Sequence, residues 1–181
     1  MHPYRMQQLI KERGKDRVIN VQRRASLYQT ISQLQRAGLI AARDTSRDEK
    51  RPERTTYVLT EKGYATAQNW LREALSTPSL EYPEFPAAVS FLPLLTPEDA
   101  LRQLEKRALG LMEKLDEIEA AVRSGEQFLA RLFLLEEELM RATLEAELKW
   151  VRGVIDDLRS GQLTWSEEWL RGFLPPESDT P

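Results

Sequence analysis

Cysteine is absent from the chain and histidine occurs once, at His2. Without thiols there is no disulfide framework, no thiolate zinc site and no cysteine nucleophile, and one imidazole leaves little room for histidine chemistry. No run of 18 or more apolar residues occurs, so no membrane-spanning helix is expected. The opening Met1-His2-Pro3-Tyr4-Arg5 lacks the apolar stretch of a signal peptide. Also missing are a Gly-x-Ser-x-Gly elbow, a phosphate-cradling glycine loop and a cluster of metal ligands. The pairs Glu136/Glu137 and Asp156/Asp157 are chain neighbours; on a helix they point about 100° apart, as solvated faces rather than acid–base dyads. Enzymatic activity, a bound metal and a cofactor are therefore not expected, and a reducing, cytoplasmic location is.

What remains is a chain of 181 residues, 41% hydrophobic and 30% charged, enough for one ordinary domain or two small ones. Its net charge of −3 conceals a division. Residues 1–72 carry fifteen Lys and Arg against seven Asp and Glu, whereas residues 73–181 carry eleven against twenty-two. A basic half joined to an acidic half points to a module for a polyanion and a separate region for another partner.

Proline marks the joints. Pro78, Pro83, Pro86, Pro93 and Pro97 crowd one stretch, after which none occurs until Pro175. Proline interrupts helices, so residues 76–95 read as a connector. Leu80, Tyr82, Phe85, Val89, Phe91, Leu92, Leu94 and Leu95 need cover, which makes it an ordered arm with room for a short helix, packed between two domains. Beyond it, Thr96 and Pro97 open a helix whose Leu101, Leu104, Ala108, Leu111, Leu115, Ile118 and Val122 follow a heptad seam. Ser124-Gly125 suits a turn. A second helix from Glu126 to Ser160 carries two offset stripes. Phe128, Leu132, Leu135, Leu139, Ala142 and Ala146 form the first; Leu144, Leu148, Val151, Ile155 and Leu158 form the second. One partner helix cannot cover both, so the second helix is expected to pair with a second copy as well as with the first. Trp165, Trp169, Leu170 and Phe173 predict a docked tail, and residues 174–181 a frayed end.

Before Ser76 the expected order is helix, helix, hairpin, helix. Pro3 opens a helix burying Met6, Leu9 and Ile10 and ending near Gly14. The next runs from Val21 or Gln22 to Arg36, with Gly38 as its left-handed terminator. Leu27, Ile31 and Leu34 face inward. Gln22, Ser26, Gln29, Ser32, Gln33 and Arg36 lie opposite, offering amides, hydroxyls and a guanidinium with no acid among them, which is the chemistry that reads base edges and grips phosphates. Arg23 and Arg24 occupy the first turn, where a recognition helix meets bases. A strand over Leu39 to Ala42 and another over Thr55 to Leu59 bracket a 12-residue loop, Arg43 to Arg54, with five cations and four acids. This mixture also suits a plain solvated tip. Its place after a recognition-type helix favours a wing, with Arg47, Lys50, Arg51 and Arg54 directed at DNA. Thr60 caps a closing helix that buries Tyr64, Ala67, Trp70 and Leu71 in whole or part. The expected fold is mainly α: a winged helix-turn-helix over residues 1–75, then an antiparallel, coiled-coil-like dimerisation domain over 96–173.

Ala25-Ser26-Leu27-Tyr28, Leu34, Gly38-Leu39-Ile40, Arg51-Pro52, Tyr57, Leu59-Thr60 and Gly63 resemble the PadR family of bacterial transcriptional regulators. His2-Pro3-Tyr4 is similar to that family's His-Gly-Tyr. Phe85 to Leu95, and Ala146-Glu147-Leu148-Lys149-Trp150 with Gly161 and Trp165, are similar to its helical dimerisation domain. The resemblance implies a homodimer on pseudo-palindromic, double-stranded operator DNA, usually repressing a neighbouring gene. It further implies that Tyr28 contacts phosphate, that Ser26 and its first-turn neighbours face the groove, and that the segment before Arg51-Pro52 is the wing. Departures are Ala25 and Lys50 at positions where the family has glycine, and Glu53 where a cation is common. The family also has an apolar helix ahead of His-x-Tyr, so a start codon placed about one helix of 11–12 residues too late, or a truncation, is expected to leave Met6, Leu9 or Trp70 uncovered. Phe91, Phe128, Trp150 and Trp165 are candidates for an apolar interdomain pocket taking a small aromatic effector, although aromatics at helical spacing also serve as plain core. The alternative function is an adaptor using its winged helix to bind protein.

Overall fold

The computed structural model of the chain describes residues 1–17, 19, 24–48, 51–79 and 82–172, the side chains of 17, 24–25, 44–48 and 51–54 excepted. Contacts divide it into two units, Met1–Glu81 and Tyr82–Pro181. The architecture is mainly helical with one small sheet.

In the first unit, α1 (Pro3–Glu12) starts on a proline at its first position and is capped by His2, whose ring nitrogen accepts from the Tyr4 amide. Helix α2 (Arg24–Arg36) turns Ile31 fully inward and Leu27 and Leu34 partly inward, as the sequence periodicity requires. Gly38 follows it at φ +70°, a left-handed conformation that lets the chain reverse at little steric cost. Strands β1 (Ile40–Asp48) and β2 (Arg51–Leu59) then pair antiparallel. The 12-residue loop read from composition is therefore mostly strand. Its charges misled: cross-strand backbone pairing continues from Ile40↔Leu59 to Asp48↔Arg51, with irregularities at Ala42/Asp44 and Ser46/Asp48. Helix α3 (Glu61–Ser76) is capped by Thr60, whose hydroxyl accepts from the Gly63 amide.

The expectation that α3 buries Tyr64, Ala67, Trp70 and Leu71 in whole or part is corrected. All four are exposed, Trp70 at 65%. Among the described residues no element of this unit covers that face, and its fully buried residues are few: Pro3, Ile31 and Gly63. Met6 and Leu9 are half-buried.

The second unit begins with α4 (Glu84–Ser90) and a 3-10 turn at Leu92–Leu94. Phe85, Val89 and Leu92 of this arm are half-buried, whereas Tyr82, Phe91, Leu94 and Leu95 are exposed, so the arm is covered on one side only. Helix α5 (Pro97–Gly125) is capped by Thr96 and buries Leu104, Ala108, Leu111, Leu115, Ile118 and Val122, with Leu101 partly covered. Helix α6 (Leu135–Ser160) lies antiparallel to it, shown by the order of their pairs: Glu105 with Arg159, Met112 with Arg152.

Two expectations about α6 are corrected or sharpened. Its start is Leu135 rather than Glu126, because Leu134 folds back over the end of α5 and is buried. A Cβ on Gly125 would lie 2.7 Å from a Leu134 methyl, so any larger residue there would make that side chain shift. Of the two apolar stripes, Leu148, Val151 and Ile155, with Leu144 and Leu158 at the margin, pack on α5. Leu135, Leu139, Ala142 and Ala146 are exposed. The tail adds α7 (Glu167–Arg171); Trp165 donates its indole N–H to the Leu95 carbonyl at 2.9 Å, while Trp169 is exposed and Phe173 lies outside the described residues.

Candidate nucleic-acid interface and effector pocket

The outward face of α2 carries Ser26, Tyr28, Gln29, Thr30, Ser32, Gln33 and Arg36, all exposed. No carboxylate interrupts it from Arg24 to Arg36. Thr30 and Ser32 turn their hydroxyls back onto the carbonyls of Ser26 and Tyr28. Ser26, Gln29, Gln33 and Tyr28 therefore remain as the polar groups best placed to meet another molecule, Tyr28 with half of its surface free. Gln22, Arg23 and Lys50 lie outside the described residues; Arg24 opens α2, Arg47 is on β1, and Arg51 and Arg54 are on β2.

A polar joint fixes the hairpin relative to α2. The Thr60 hydroxyl, besides capping α3, donates to the carbonyls of Gly38 and Leu39, 2.8 and 3.1 Å away. Lys62 donates to the Ala37 carbonyl at 2.9 Å, satisfying one of the free acceptors at the α2 C-terminus. The amide of Leu39 returns to Leu34, and the amide of Thr60 to Leu39. The end of α2, the base of the hairpin and the start of α3 thus form one hydrogen-bonded corner. Thr60 was legible in the sequence as a cap; Lys62 was missed, since a lysine two residues into a helix reads as a solvated charge.

The aromatic candidates in the second unit are only partly brought together. Trp150 meets Phe85 edge-on, ring centroids 5.9 Å apart at 80°, and Arg107 lies 3.4 Å above the Phe85 ring. Phe85 and Phe91 line a cavity of about 230 Å³ between α4, the 3-10 turn and the first turns of α5. Trp165 touches the adjoining chain through Leu95. Phe128 stands apart: it is exposed in the turn after α5, separated from Phe91 by the length of that helix, 29 residues or about 43 Å. Phe85, Gln103 and Arg107 were missed as pocket residues, because a connector phenylalanine and two helix-surface polar residues give no signal until the arm folds onto α5. At the base of α5 the Asp99 carboxyl is held below its usual range by hydrogen bonds from Gln103 and Arg102.

Residues 1–69 match the sequence model of a family described as the transcriptional regulator PadR-like family. None of the curated proteins matches the chain. Among solved structures, PadR of Bacillus subtilis in complex with operator DNA is similar with a TM-score of 0.69 and 17% identity, covering 87% of this chain and 89% of that one. The same protein in complex with p-coumaric acid gives 0.67 and 16%, over 88% and 90%. The Vibrio cholerae virulence activator AphA gives 0.54 and 20%, over 75% and 77%. At these identities the likeness is one of fold. It extends through both units, beyond the segment that the family model covers.

Proposed function

We propose that this chain, a PadR-like transcriptional regulator by its residues 1–69, acts in the cytoplasm as a homodimer that represses a gene by binding a pseudo-palindromic operator and is released by a small aromatic effector. The observation that carries this reading is the acid-free, exposed face of α2 beside a two-stranded hairpin. In it, Gln22, Arg23, Arg24, Ser26 and Gln29 meet the major groove, Tyr28 a phosphate, and Arg47, Lys50, Arg51 and Arg54 the backbone beside it as a wing. The excess of cations in residues 1–72 supports a polyanionic partner. The fold shared with a protein in complex with operator DNA supports the same partner class.

The homodimer is supported by the outward stripe of α6, whose Leu135, Leu139, Ala142 and Ala146 have no cover in one copy. A two-fold pair would set its recognition helices roughly 34 Å apart, one turn of DNA. The effector is supported by the cavity beside Phe91 and Phe85, with Trp150 behind it, and by the fold shared with a protein in complex with p-coumaric acid. Selection of duplexes from a random pool by the purified chain, followed by affinity measurements across salt concentrations, tests the reading. A recurring two-fold sequence motif is expected. A monomer indifferent to every duplex in dilute buffer overturns it.

A further inference from the structure

We propose that the cavity between α4 and α5 takes an uncharged, flat molecule of one or two rings with a hydrogen-bond donor, and rejects the corresponding carboxylate. This rests on the effector reading above and gives it a chemical class. At about 230 Å³ the cavity falls below the roughly 300–1,000 Å³ of sites for drug-sized ligands, which limits the occupant to a small ring system. Phe85, Val89, Leu92 and Leu104 make its walls apolar, and Gln103 and Arg107 are its polar lining.

Among the described residues Arg107 is the only cation of that lining, and it is already engaged. Its Nε donates to Glu147 Oε1 at 2.6 Å, its Nη2 forms an ion pair with the same oxygen at 2.5 Å, and its guanidinium carbon sits over the Phe85 ring. An incoming carboxylate would have to share one guanidinium with Glu147, bringing two like charges together, or displace Glu147 and leave that charge unpaired in a half-buried position, or lie against apolar walls with no counter-charge. Each outcome is unfavourable. Gln103 donates through Nε2 to Asp99 at 3.0 Å, which fixes its amide and leaves its carbonyl oxygen to accept from a phenol or amide N–H.

The test is a matched pair of probes, methyl p-coumarate and p-coumarate, which share one ring and one phenol and differ by a charge. Binding is measured by calorimetry on the full chain, with tryptophan emission as a second readout through Trp150. The ester is expected to bind at least about tenfold more tightly than the acid. Glu147→Gln releases Arg107, so the acid should gain about tenfold while the ester moves by less than about threefold. Ala88→Leu, at an exposed position on the cavity wall, should abolish ester binding with the helical circular dichroism retained. An acid that binds the unaltered chain as well as the ester overturns the proposal without touching the effector reading, as does an ester indifferent to Ala88→Leu. Binding of neither probe at millimolar concentration overturns the cavity as an effector site altogether. The ester–acid comparison is made on the unaltered chain, so no variant need fold for the proposal to fail.

Discussion

A methyl group on Gly63 would sit 1.9 Å from the carbonyl oxygen of Leu39. The first turn of α3 and the strand base after α2 are thus in backbone contact, and Thr60 bonds both sides of the same corner. Gly63→Ala must push two backbone segments apart. It is expected to cost at least the roughly 1–3 kcal/mol of an overpacked core, read as a lower midpoint in thermal or urea unfolding. Thr60→Val, which removes the cap and both carbonyl bonds, should cost about 1–2 kcal/mol. Unchanged midpoints in both variants would mean that the corner does not hold the hairpin.

That corner was half legible in the sequence. Thr60 before a helical pattern is a cap signal, and Gly38 after one is a terminator, because each acts within a few residues. The hairpin length was not legible, since Arg43 to Arg54 carry the charges of a loop while the pairing that makes them strand depends on a partner across the turn. The start of α6 escaped for a similar reason. Phe128 and Leu132 fit a heptad, yet Leu134 closing over Gly125 ends the regular helix there. On the α2 face, residue types and periodicity were enough to mark Ser26, Gln29, Ser32, Gln33 and Arg36 as outward, whereas Tyr28 was singled out only by the family resemblance. Of the cavity only Phe91 was legible, because Phe85, Gln103 and Arg107 meet it only through tertiary packing.

Affinity for the operator should fall steeply with salt, because each phosphate contact releases a counterion. If the cations assigned to the first turn of α2 and to the wing act together, Arg23→Ala/Arg24→Ala should lower the slope of log affinity against log salt by about 1–2 and reduce discrimination between the operator and a scrambled duplex. Replacing Lys50 and Arg54 by Ala should weaken both duplexes alike. Full operator preference in the Arg23/Arg24 variant would remove those residues from the reading head.

Acid should loosen the turn that leads into α6. Arg131 donates to both carboxylate oxygens of Glu138, and this hydrogen bond holds the Glu138 pKa below its ordinary value. A carboxyl whose folded pKa is depressed contributes stability above its unfolded pKa and loses it as pH falls through the folded value. The contribution of this pair is therefore present at neutral pH and disappears below the ordinary glutamate range. Both groups are solvent-accessible, so the effect should be small. Glu138→Gln should flatten that part of the pH dependence, followed by amide exchange around Leu134.

The outward stripe of α6 gives the sharpest separation between folding and assembly. Val151 is fully buried against α5, so Val151→Ala is expected to destabilise the hairpin by a kilocalorie or more per mole, roughly the cost of deleting buried methyl groups. Ala146 is five residues earlier on the same helix but exposed, and Ala146→Glu should leave a single hairpin folded. In a two-fold interface the same substitution enters from both copies, so two carboxylates would be brought toward one another as they lose water. Light scattering should therefore report a monomer for Ala146→Glu with the helical signal intact, and a dimer for the control Gln162→Glu beyond the end of α6. Because a paired operator needs two heads, the Ala146 variant should also lose most of its operator affinity while keeping its weak, salt-sensitive affinity for a half-site. A dimer that survives Ala146→Glu would move the interface off this face of α6.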